Sequence, residues 1–343
     1  MKSRGLVGGF LIVVLAMALV MPVSIAQEEP LDVALLISGM MHPFFVTVAD
    51  GAKAAGARFN VAVTVLDAQD DPELQTRQVE DSIIVGYDAL LINPADVEAL
   101  VTAVRRANEA GIPVFTVDRD VIAGERFAYI GTSNVMAAEQ GAEFLVDLLR
   151  FSRRPKPWKV VMLEGIPGAS SAREREEGFH NVLDSLKKSG DILIVADLTA
   201  NFDRATGLRV MEDVLAVTID IDAVIAANDE MALGALEALK GAGLGVEWPD
   251  GVFVVGFDAI DDAVEAVRRG DFQATVAQAP FIMGYWAVEA VAKNQREGWM
   301  LPEGTPIYEP TGALLIATPV LVVTWENVDQ VEEITKVPPP LVP

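Results

Sequence analysis

Residues 33–45, VALLISGMMHPFF, contain the structural unit that recurs through this chain. The apolar residues from Val33 to Ile37 predict a buried strand, and the small polar residue Ser38 ends it. A short turn leads to Pro43, a residue type favoured at the first position of a helix, and apolar residues follow at helical spacing. The same order of apolar strand, polar end and amphipathic helix is found in two consecutive runs along the chain.

Polar side chains end the strands of both runs. They are Ser38, Asn93 and Asp118 in the first run, and Asn228, Asp258 and Gln278 in the second. In an open parallel α/β sheet, ligands bind in the crevice at the carboxyl ends of the strands. Two such sheets that face each other would therefore enclose a polar cleft.

The alternation of strands and helices predicts the fold class. Apolar segments place strands at 33–37, 61–66, 89–92, 113–117 and 127–130, and then at 160–163, 192–195, 223–226, 253–256 and 274–277. Strands that alternate with helices of this length form parallel sheets with helices on both faces. We therefore expect an α/β protein with two similar, doubly wound parallel-sheet lobes. We also expect a last strand over 317–323 and a disordered, proline-rich tail over 331–343.

Residues 1–26 have the features of a secretory signal peptide. Lys2 and Arg4 precede an apolar run, and the small residues around Ala26 form a cleavage site ahead of an acidic stretch. The alternative is a membrane anchor over 5–23, a run barely long enough to cross a bilayer. Because small residues and not basic ones follow the apolar run, we favour the signal peptide. It predicts a freely soluble, exported protein.

Composition and missing motifs argue against several functions. The net charge of -24 is spread along the chain, and such a surface repels nucleic acid and anionic lipid. The chain has no cysteine and only two histidines, and the acidic pair Asp220 and Asp222 lacks the rest of a calcium loop. The sequence contains neither a glycine-rich phosphate-binding loop nor a G-x-S-x-G nucleophile motif. We therefore expect no metal and no cofactor.

The polar residues at the strand ends suit a neutral, polyhydroxylated ligand. A hydroxyl group both donates and accepts hydrogen bonds, so several hydroxyls need carboxylates, amides and arginine together. Sugar rings also have apolar C–H faces that stack on aromatic rings. Phe44 and Phe45 follow the first strand, and Phe202 follows a later one. These features favour a carbohydrate ligand.

Several of these residues have a structural alternative. Asp118 and Arg119 can form a surface ion pair at a strand end, worth under about 1 kcal/mol. Asn228 can cap the helix that follows it, although Asp229 is equally suited to that task. Arg173 lies in a run of alternating charges that is typical of a solvated helix face. The residues alone leave these alternatives open.

The chain resembles the periplasmic sugar-binding proteins of ABC importers, and among them the ribose binders. The resemblance runs from about Leu31 to Gly284 and depends on separated segments that occur in order. They are PFFVTVADGA at Pro43, LLINPAD at Leu90, TVDRD at Thr116, SAREREEGF at Ser171, ANFDRATGL at Ala200, ANDEMALGAL at Ala227, VVGFDA at Val254 and TVAQAP at Thr275.

This resemblance implies the type I periplasmic binding protein fold, with two lobes joined by a three-strand hinge. The crossings are expected near Thr132, near Gln278 and within 310–318. The N-terminal lobe would then comprise residues 31–132 and 279–315, and the C-terminal lobe residues 133–278 and 316–330.

The resemblance also implies the ligand-binding residues. From the first lobe they are Ser38, Phe44, Phe45, Asp118 and Arg119, and from the second lobe Arg173, Phe202, Asn228, Asp258 and Gln278. One position departs from the family pattern, because His42 stands where ribose binders carry asparagine before Pro-Phe-Phe. An imidazole can still donate or accept one hydrogen bond, but it lacks the paired donor and acceptor of an amide. This difference puts strict ribose specificity in doubt.

The expected function is that of a monomeric solute receptor, without enzymatic activity, that binds a monosaccharide such as ribose and delivers it to an ABC permease. A chemoreceptor is a further possible partner. The alternatives are a receptor for allose, xylose or another polyol, the effector domain of a transcription repressor, and a secreted sugar-processing enzyme. The enzyme would need a carboxylate pair, for which Asp118 and Asp258 are the candidates.

Overall fold

The computed structural model describes residues 29–341. The predicted signal peptide, residues 1–26, lies outside the described residues. Among the helices of the described chain, none is both long enough and apolar enough to cross a membrane.

Strands and helices alternate through most of residues 29–341. The strands are β1 Leu31–Ile37, β2 Val61–Asp67, β3 Ala89–Ile92, β4 Val114–Val117, β5 Tyr129–Gly131, β6 Trp158–Glu164, β7 Ile192–Thr199, β8 Ala223–Ala226, β9 Phe253–Asp258, β10 Ala274–Ala277, β11 Ile307–Tyr308, β12 Ala313–Ala317 and β13 Leu321–Val323. The helices are α1 Pro43–Phe59, α2 Pro72–Val85, α3 Val101–Glu109, α4 Asn134–Phe151, α5 Ser170–Ser189, α6 Arg204–Val217, α7 Asp229–Gly241, α8 Asp261–Arg269, α9 Pro280–Glu297 and α10 Val331–Lys336, with a 3₁₀ turn at Val328–Gln330.

The strands of the described chain form two sheets, one in each lobe. The N-terminal lobe has a seven-stranded sheet in the order β11-β12-β5-β4-β3-β1-β2, and the C-terminal lobe a six-stranded sheet in the order β13-β10-β9-β8-β6-β7. All neighbouring strands are parallel except the pairs β11–β12 and β10–β13. The predicted fold class, two doubly wound α/β lobes, is confirmed.

The pleat of β1 shows how each sheet is buried on both faces. Val33, Leu35 and Ile37 pack with α1 and α9 on one side, and the intervening Ala34 and Leu36 belong to the core beneath α2 and α3 on the other. All five side chains are fully buried. A strand covered on both sides has no polar position until it ends, so its first polar residue comes at the edge of the sheet. This is why the polar residues collect at the cleft.

The chain passes between the lobes at three places. The crossings lie between β5 and α4, between β10 and α9, and between β12 and β13. The buried hydroxyls of Thr132 and Thr318 are 3.1 Å apart, which ties the first crossing to the third. The single strand expected over 317–323 is wrong, because β12 ends at Ala317 and β13 begins at Leu321 in the other sheet. Pro319 lies between them, and proline has no N–H to donate to a sheet.

The part of the C-terminal tail that the structure describes, residues 331–341, differs from the prediction of disorder, and residues 342–343 lie outside the described chain. Residues Val331–Lys336 form helix α10, and Leu341 is buried in the core of the N-terminal lobe. The indole Nε1 of Trp286 donates a hydrogen bond to the carbonyl of Pro339 at 2.9 Å. The proline-rich composition predicts extended backbone, whereas the apolar surface that buries Leu341 is supplied by the folded N-terminal lobe.

We expect Gly284→Ala to destabilise the N-terminal lobe by about 1–3 kcal/mol, as overpacking of a core does. A Cβ at Gly284 in α9 would fall far inside van der Waals contact with the carbonyl oxygen of Val48 in α1. The matched control is Gly241→Ala at the end of α7, where a Cβ meets nothing within 4 Å. Thermal unfolding monitored by circular dichroism measures both variants, and equal midpoints would contradict the close packing of α1 on α9.

Candidate functional site

A cavity between the lobes collects most of the predicted residues. The space around it that protein atoms leave free, about 400 Å³, includes open solvent at its mouth. The predicted residues that line it are His42, Phe44, Phe45, Asp118, Arg119, Phe202, Asn228 and Asp258. Gln278 lines an adjoining cavity, and Ser38 lies buried behind the first wall. Arg173 belongs to neither.

Asn93 organises the N-terminal half of the site. Its Oδ1 accepts a hydrogen bond from the backbone N–H of Ser38 at 3.1 Å, and its Nδ2 donates to Val117 O at 3.0 Å and to Asp118 Oδ2 at 3.3 Å. The amide thereby connects the ends of β1, β3 and β4. Arg119 donates to the hydroxyl of Ser38 at 3.2 Å, so Ser38 positions the guanidinium from behind. The sequence identified Asn93 as a strand-end residue, and the structure gives it this role.

Asp118 and Arg119 form a buried ion pair and not a surface one. Their side chains are 4% and 3% exposed, and Arg119 Nε lies 3.8 Å from Asp118 Oδ2. Among the described residues, Asp118 Oδ1 and Arg119 Nε have no hydrogen-bond partner. A buried polar atom without a partner costs roughly 1–3 kcal/mol, so both atoms are suited to bonding a polar ligand in the cavity. Burial raises the pKa of Asp118, and the neighbouring arginines oppose that rise.

Aromatic rings flank this ion pair on both sides. The guanidinium carbon of Arg119 lies 5.2 Å from the ring centroid of Phe45 and 5.8 Å from that of Phe202. Phe202 has φ +57° and enters the cavity from the loop before α6. A side chain at Gly165 would overlap its ring, so the absence of a Cβ there lets the ring pack against the end of β6.

Arg175 is the charged residue that α5 contributes, although the prediction named Arg173. Arg175 Nη1 lies 3.2 Å from Asp258 Oδ1 and donates to the carbonyl of Ala227 at 2.5 Å. Its Nε donates to Asn134 Oδ1 at 3.0 Å, and its guanidinium stacks 3.8 Å from the centroid of the Phe257 ring. Asp258 also accepts from Gln278 Nε2 at 2.8 Å. Burial raises the pKa of Asp258 to about 6, and Arg175 opposes that rise.

Arg173 lies outside the cavity, with a half-exposed side chain 3.9 Å from Glu98 of the other lobe. Two residues along a helix rotate a side chain by about 200°, so Arg173 and Arg175 point to different sides. The signal was present in the sequence, because Arg175 shares a spacing of three and four residues with Ala172 and Phe179 on the buried face of α5. The run of alternating charges around Arg175, residues 173–177, concealed that face.

Asn228 both caps a helix and lines the cavity. Its Oδ1 accepts a hydrogen bond from Met231 N at 2.9 Å, and its Nδ2 donates to Phe202 O at 3.2 Å. The capping alternative is therefore correct, and Asn228 lines the cavity as well. Asp229 is instead buried and accepts from Thr275 Oγ1 at 2.7 Å and Ile260 N at 3.0 Å.

His42 forms a pair with Asp70 that the sequence analysis did not identify. His42 Nε2 lies 2.9 Å from Asp70 Oδ2, and the imidazole contacts the edge of the Phe45 ring. A carboxylate only accepts, so a neutral His42 donates from Nε2 and keeps Nδ1 as an acceptor. The His42 interaction lowers the pKa of Asp70 against the opposing effect of burial. No local pattern around His42 indicates that Asp70, 28 residues further along the chain, is its partner.

The charges at the centre of the cavity balance. Asp118 and Asp258 contribute two carboxylates, and Arg119 and Arg175 contribute two guanidinium groups. Glu230, which also lines the cavity, is paired with Arg204 at 2.6 Å. A net charge near zero disfavours an ionic ligand, while four groups with donors or acceptors suit a molecule with several hydroxyls. The phenyl rings of Phe45 and Phe202 add apolar contact on either side.

Within residues 29–341, one group of side chains outside this cavity is of the types that bind metal ions. Glu164, Glu176 and His180 bring ligand atoms within 4.8 Å of one another. Both ring nitrogens of His180 already pair with carboxylates, Nδ1 with Asp184 at 3.2 Å and Nε2 with Asp197 at 3.3 Å. Burial and the adjacent carboxylates raise the pKa of Glu164 to about 8. We assign no ion to this grouping.

Comparison with known proteins agrees with this architecture. The model of the periplasmic binding protein domain family matches residues 33–297. The ribose import binding protein of Bacillus subtilis (strain 168) is 41% identical over 269 residues, which cover 78% of this chain and 83% of the relative. The ribose import binding protein of Escherichia coli (strain K12) is 38% identical over 278 residues, covering 81% and 89%.

A solved structure extends the comparison to a cyclic polyol. The Caulobacter myo-inositol binding protein bound to myo-inositol has a TM-score of 0.78 and 27% sequence identity, covering 91% of this chain and 99% of that chain. With two α/β lobes, a polar cavity between them and a family match over most of its length, this chain belongs to the periplasmic binding proteins.

Proposed function

We propose that this protein is the extracytoplasmic sugar receptor of an ABC importer, which binds ribose or a similar pentose between its lobes. The observation that carries the proposal is the pair of buried ion pairs, Asp118 with Arg119 and Arg175 with Asp258, on opposite walls of one cavity. The ribose import relatives add the sugar class and the import role. Residues 1–26 support export to the periplasm, where the mature chain would act as a soluble monomer.

Affinity without catalysis is physically reasonable for such a ligand. A pentose has about ten heavy atoms, and the best small ligands gain about -1.5 kcal/mol per heavy atom. Micromolar binding needs only about -8 kcal/mol. A ligand that contacts both lobes at once favours the closed form, and we propose that this form docks on the permease and is also presented to a chemoreceptor.

The geometry disfavours the enzyme alternative. A glycosidase needs two carboxyl groups that are free to act on the sugar, whereas Asp118 and Asp258 are each paired with a buried arginine. We therefore propose that the protein binds its sugar without turning it over.

Arg175→Gln should weaken ribose binding about 30-fold or more, because truncating one partner of a buried charge pair costs about 2–5 kcal/mol. Arg173→Gln is the matched control, two residues away on the same helix, and should bind as the unchanged protein does. Calorimetric titration of the refolded mature protein with ribose, allose, xylose, arabinose, galactose and glucose provides the test. Loss of binding in Arg173→Gln alone would overturn the assignment, and failure of all six sugars to bind would leave another polyol as the ligand.

His42→Asn should strengthen ribose binding relative to allose by about three- to tenfold, since one extra hydrogen bond is worth about 0.5–1.5 kcal/mol. The amide replaces one imidazole acceptor with both a donor and an acceptor. Asp70→Asn is the companion variant, because it removes the carboxylate that orients the ring and keeps His42 itself. An unchanged ratio of the two dissociation constants in His42→Asn would show that position 42 does not select the sugar.

Ribose affinity should fall as the pH rises from about 5 to 8, and Glu174→Gln should reduce this dependence. Burial raises the pKa of Glu174 to about 7 where α5 meets residues 310–311 of the other lobe. Below the ordinary pKa near 4.5 the carboxyl group is neutral in both open and closed forms, so closure carries no penalty. As the pH rises through 7, the closed form must bury a charge, so closure and binding weaken.

The control for this pH profile is Glu177→Gln, an exposed residue that lines the same interlobe space. Asp258, with a pKa raised to about 6, contributes in the same direction in every variant. The role of Glu174 is therefore read from the difference between the two profiles. Identical profiles for Glu174→Gln and Glu177→Gln would refute it.

A further inference from the structure

The C-terminal segment, residues 328–341, contacts both lobes after the third crossing. Val328 and Val331 are buried in the core of the C-terminal lobe, whereas Leu341 is buried in the core of the N-terminal lobe. Between these anchors the chain runs through α10 and the prolines at 338–340. The segment is therefore a fourth connection between the lobes, in addition to the three crossings.

Polar contacts hold the segment to the C-terminal lobe. Lys336 Nζ lies 3.5 Å from Asp261 Oδ1 at the first turn of α8. Arg268, near the end of α8, donates to Asp329 Oδ1 at 3.4 Å. Each of these ion pairs is exposed and weak alone, but the burial of Val331 beside them adds an apolar contact.

The attachment to the N-terminal lobe is made by α9. Helix α10 packs against α9, and the indole of Trp286 donates to Pro339 O at 2.9 Å. Lys293 Nζ donates to the carbonyl of Leu341 at 3.4 Å, and the Leu341 side chain is 3% exposed. Val337, which precedes the three prolines, is 62% exposed. The tail is therefore attached to the N-terminal lobe at Pro339 and Leu341 and not along its whole length.

The segment also forms part of the cleft wall. Thr335 and Lys336 line the cavity that adjoins the proposed sugar site and shares Phe44 and Asp258 with it. Thr47 of α1, in the N-terminal lobe, and Asp262 of α8, in the C-terminal lobe, also line this cavity. A movement that separates α1 from α8 would therefore pull on the segment between its two anchors.

The composition of the segment leaves it little slack. Three consecutive prolines hold φ near -65° and favour an extended, semi-rigid chain of about 3.1 Å per residue. Helix α10, at about 1.5 Å per residue, can lengthen only by unwinding. Opening the lobes must then either unwind α10 or detach one anchor.

We propose that residues 328–341 act as a strap that restrains lobe opening and biases the ligand-free protein toward the closed form. The fraction of protein in the binding-competent closed form sets the apparent affinity, so releasing the strap lowers that affinity. The affinity part of this inference depends on the proposed sugar-binding function, whereas the restraint on opening does not.

The direct test measures the distance between the lobes without ligand. Because the chain has no cysteine, nitroxide labels attach only at Glu73→Cys and Ala205→Cys, two exposed positions in the first turns of α2 and α6. Leu341→Asp removes the buried anchor, and Val337→Asp makes the same change at an exposed position of the same tail. We expect the label distances to shift outward in Leu341→Asp only, with a ribose dissociation constant at least threefold higher.

A second variant separates restraint from folding. Replacing Pro338, Pro339 and Pro340 with glycine keeps both anchors but makes the connection flexible, and should move the label distances in the same direction. Circular dichroism verifies that each variant is folded. If Leu341→Asp does not fold, the label distances of the glycine variant test the strap. Unchanged label distances in the glycine variant and in folded Leu341→Asp would overturn the strap. If the unchanged protein binds no ribose, ribose is wrong as the proposed ligand, while the label distances still decide the strap.

Discussion

The two buried ion pairs that face each other across the cleft are the constraint on which the rest of the structure depends. A charge removed from water is tolerated only with a partner and with hydrogen bonds to its remaining atoms. In the N-terminal lobe Asn93 and Ser38 supply those bonds to Asp118 and Arg119. In the C-terminal lobe Asn134 and Gln278 do the same for Arg175 and Asp258. Both sheets are therefore built so that their strands end where these groups are needed.

This arrangement also connects the site with the hinge. Gln278 bonds Asp258 and lies directly at the second crossing, and Tyr129, at the first crossing, donates to the carbonyl of Asp118 at 2.7 Å. Asn134, the first residue after the first crossing to enter a helix, bonds both Arg175 and Glu174. Three of the residues that bond the site, Tyr129, Asn134 and Gln278, therefore lie beside the crossings between the lobes. Rotation about the hinge and order in the site are physically coupled.

The C-terminal region shows the same principle at the outer edge of the cleft. Buried apolar groups at its two ends, Val331 and Leu341, attach it to different lobes, and the prolines between them limit its extension. A proline-rich segment cannot form a core of its own, and its order comes entirely from surfaces provided elsewhere.

The sequence by itself determined the local structure. Apolar runs of four to seven residues between amphipathic helices specified two parallel-sheet lobes, and the first polar residues after these runs, Ser38, Asn93, Asp118, Asn228 and Asp258, marked the strand ends. These inferences succeed because strand burial and helix periodicity are properties of adjacent residues. The separated motifs then indicated the family, which the family match over residues 33–297 shows.

Only the tertiary structure decided which distant groups meet. Arg175 and not Arg173 reaches Asp258, because the rotation of α5 is set by the packing of Phe179 and Ala172 against the C-terminal lobe. Asp70 meets His42 through the proximity of two loops that are 28 residues apart in the chain. The tail is ordered because α9 provides a groove for Leu341. Each of these contacts depends on the relative placement of whole elements, and that placement follows from the sum of packing over both lobes and not from any local pattern.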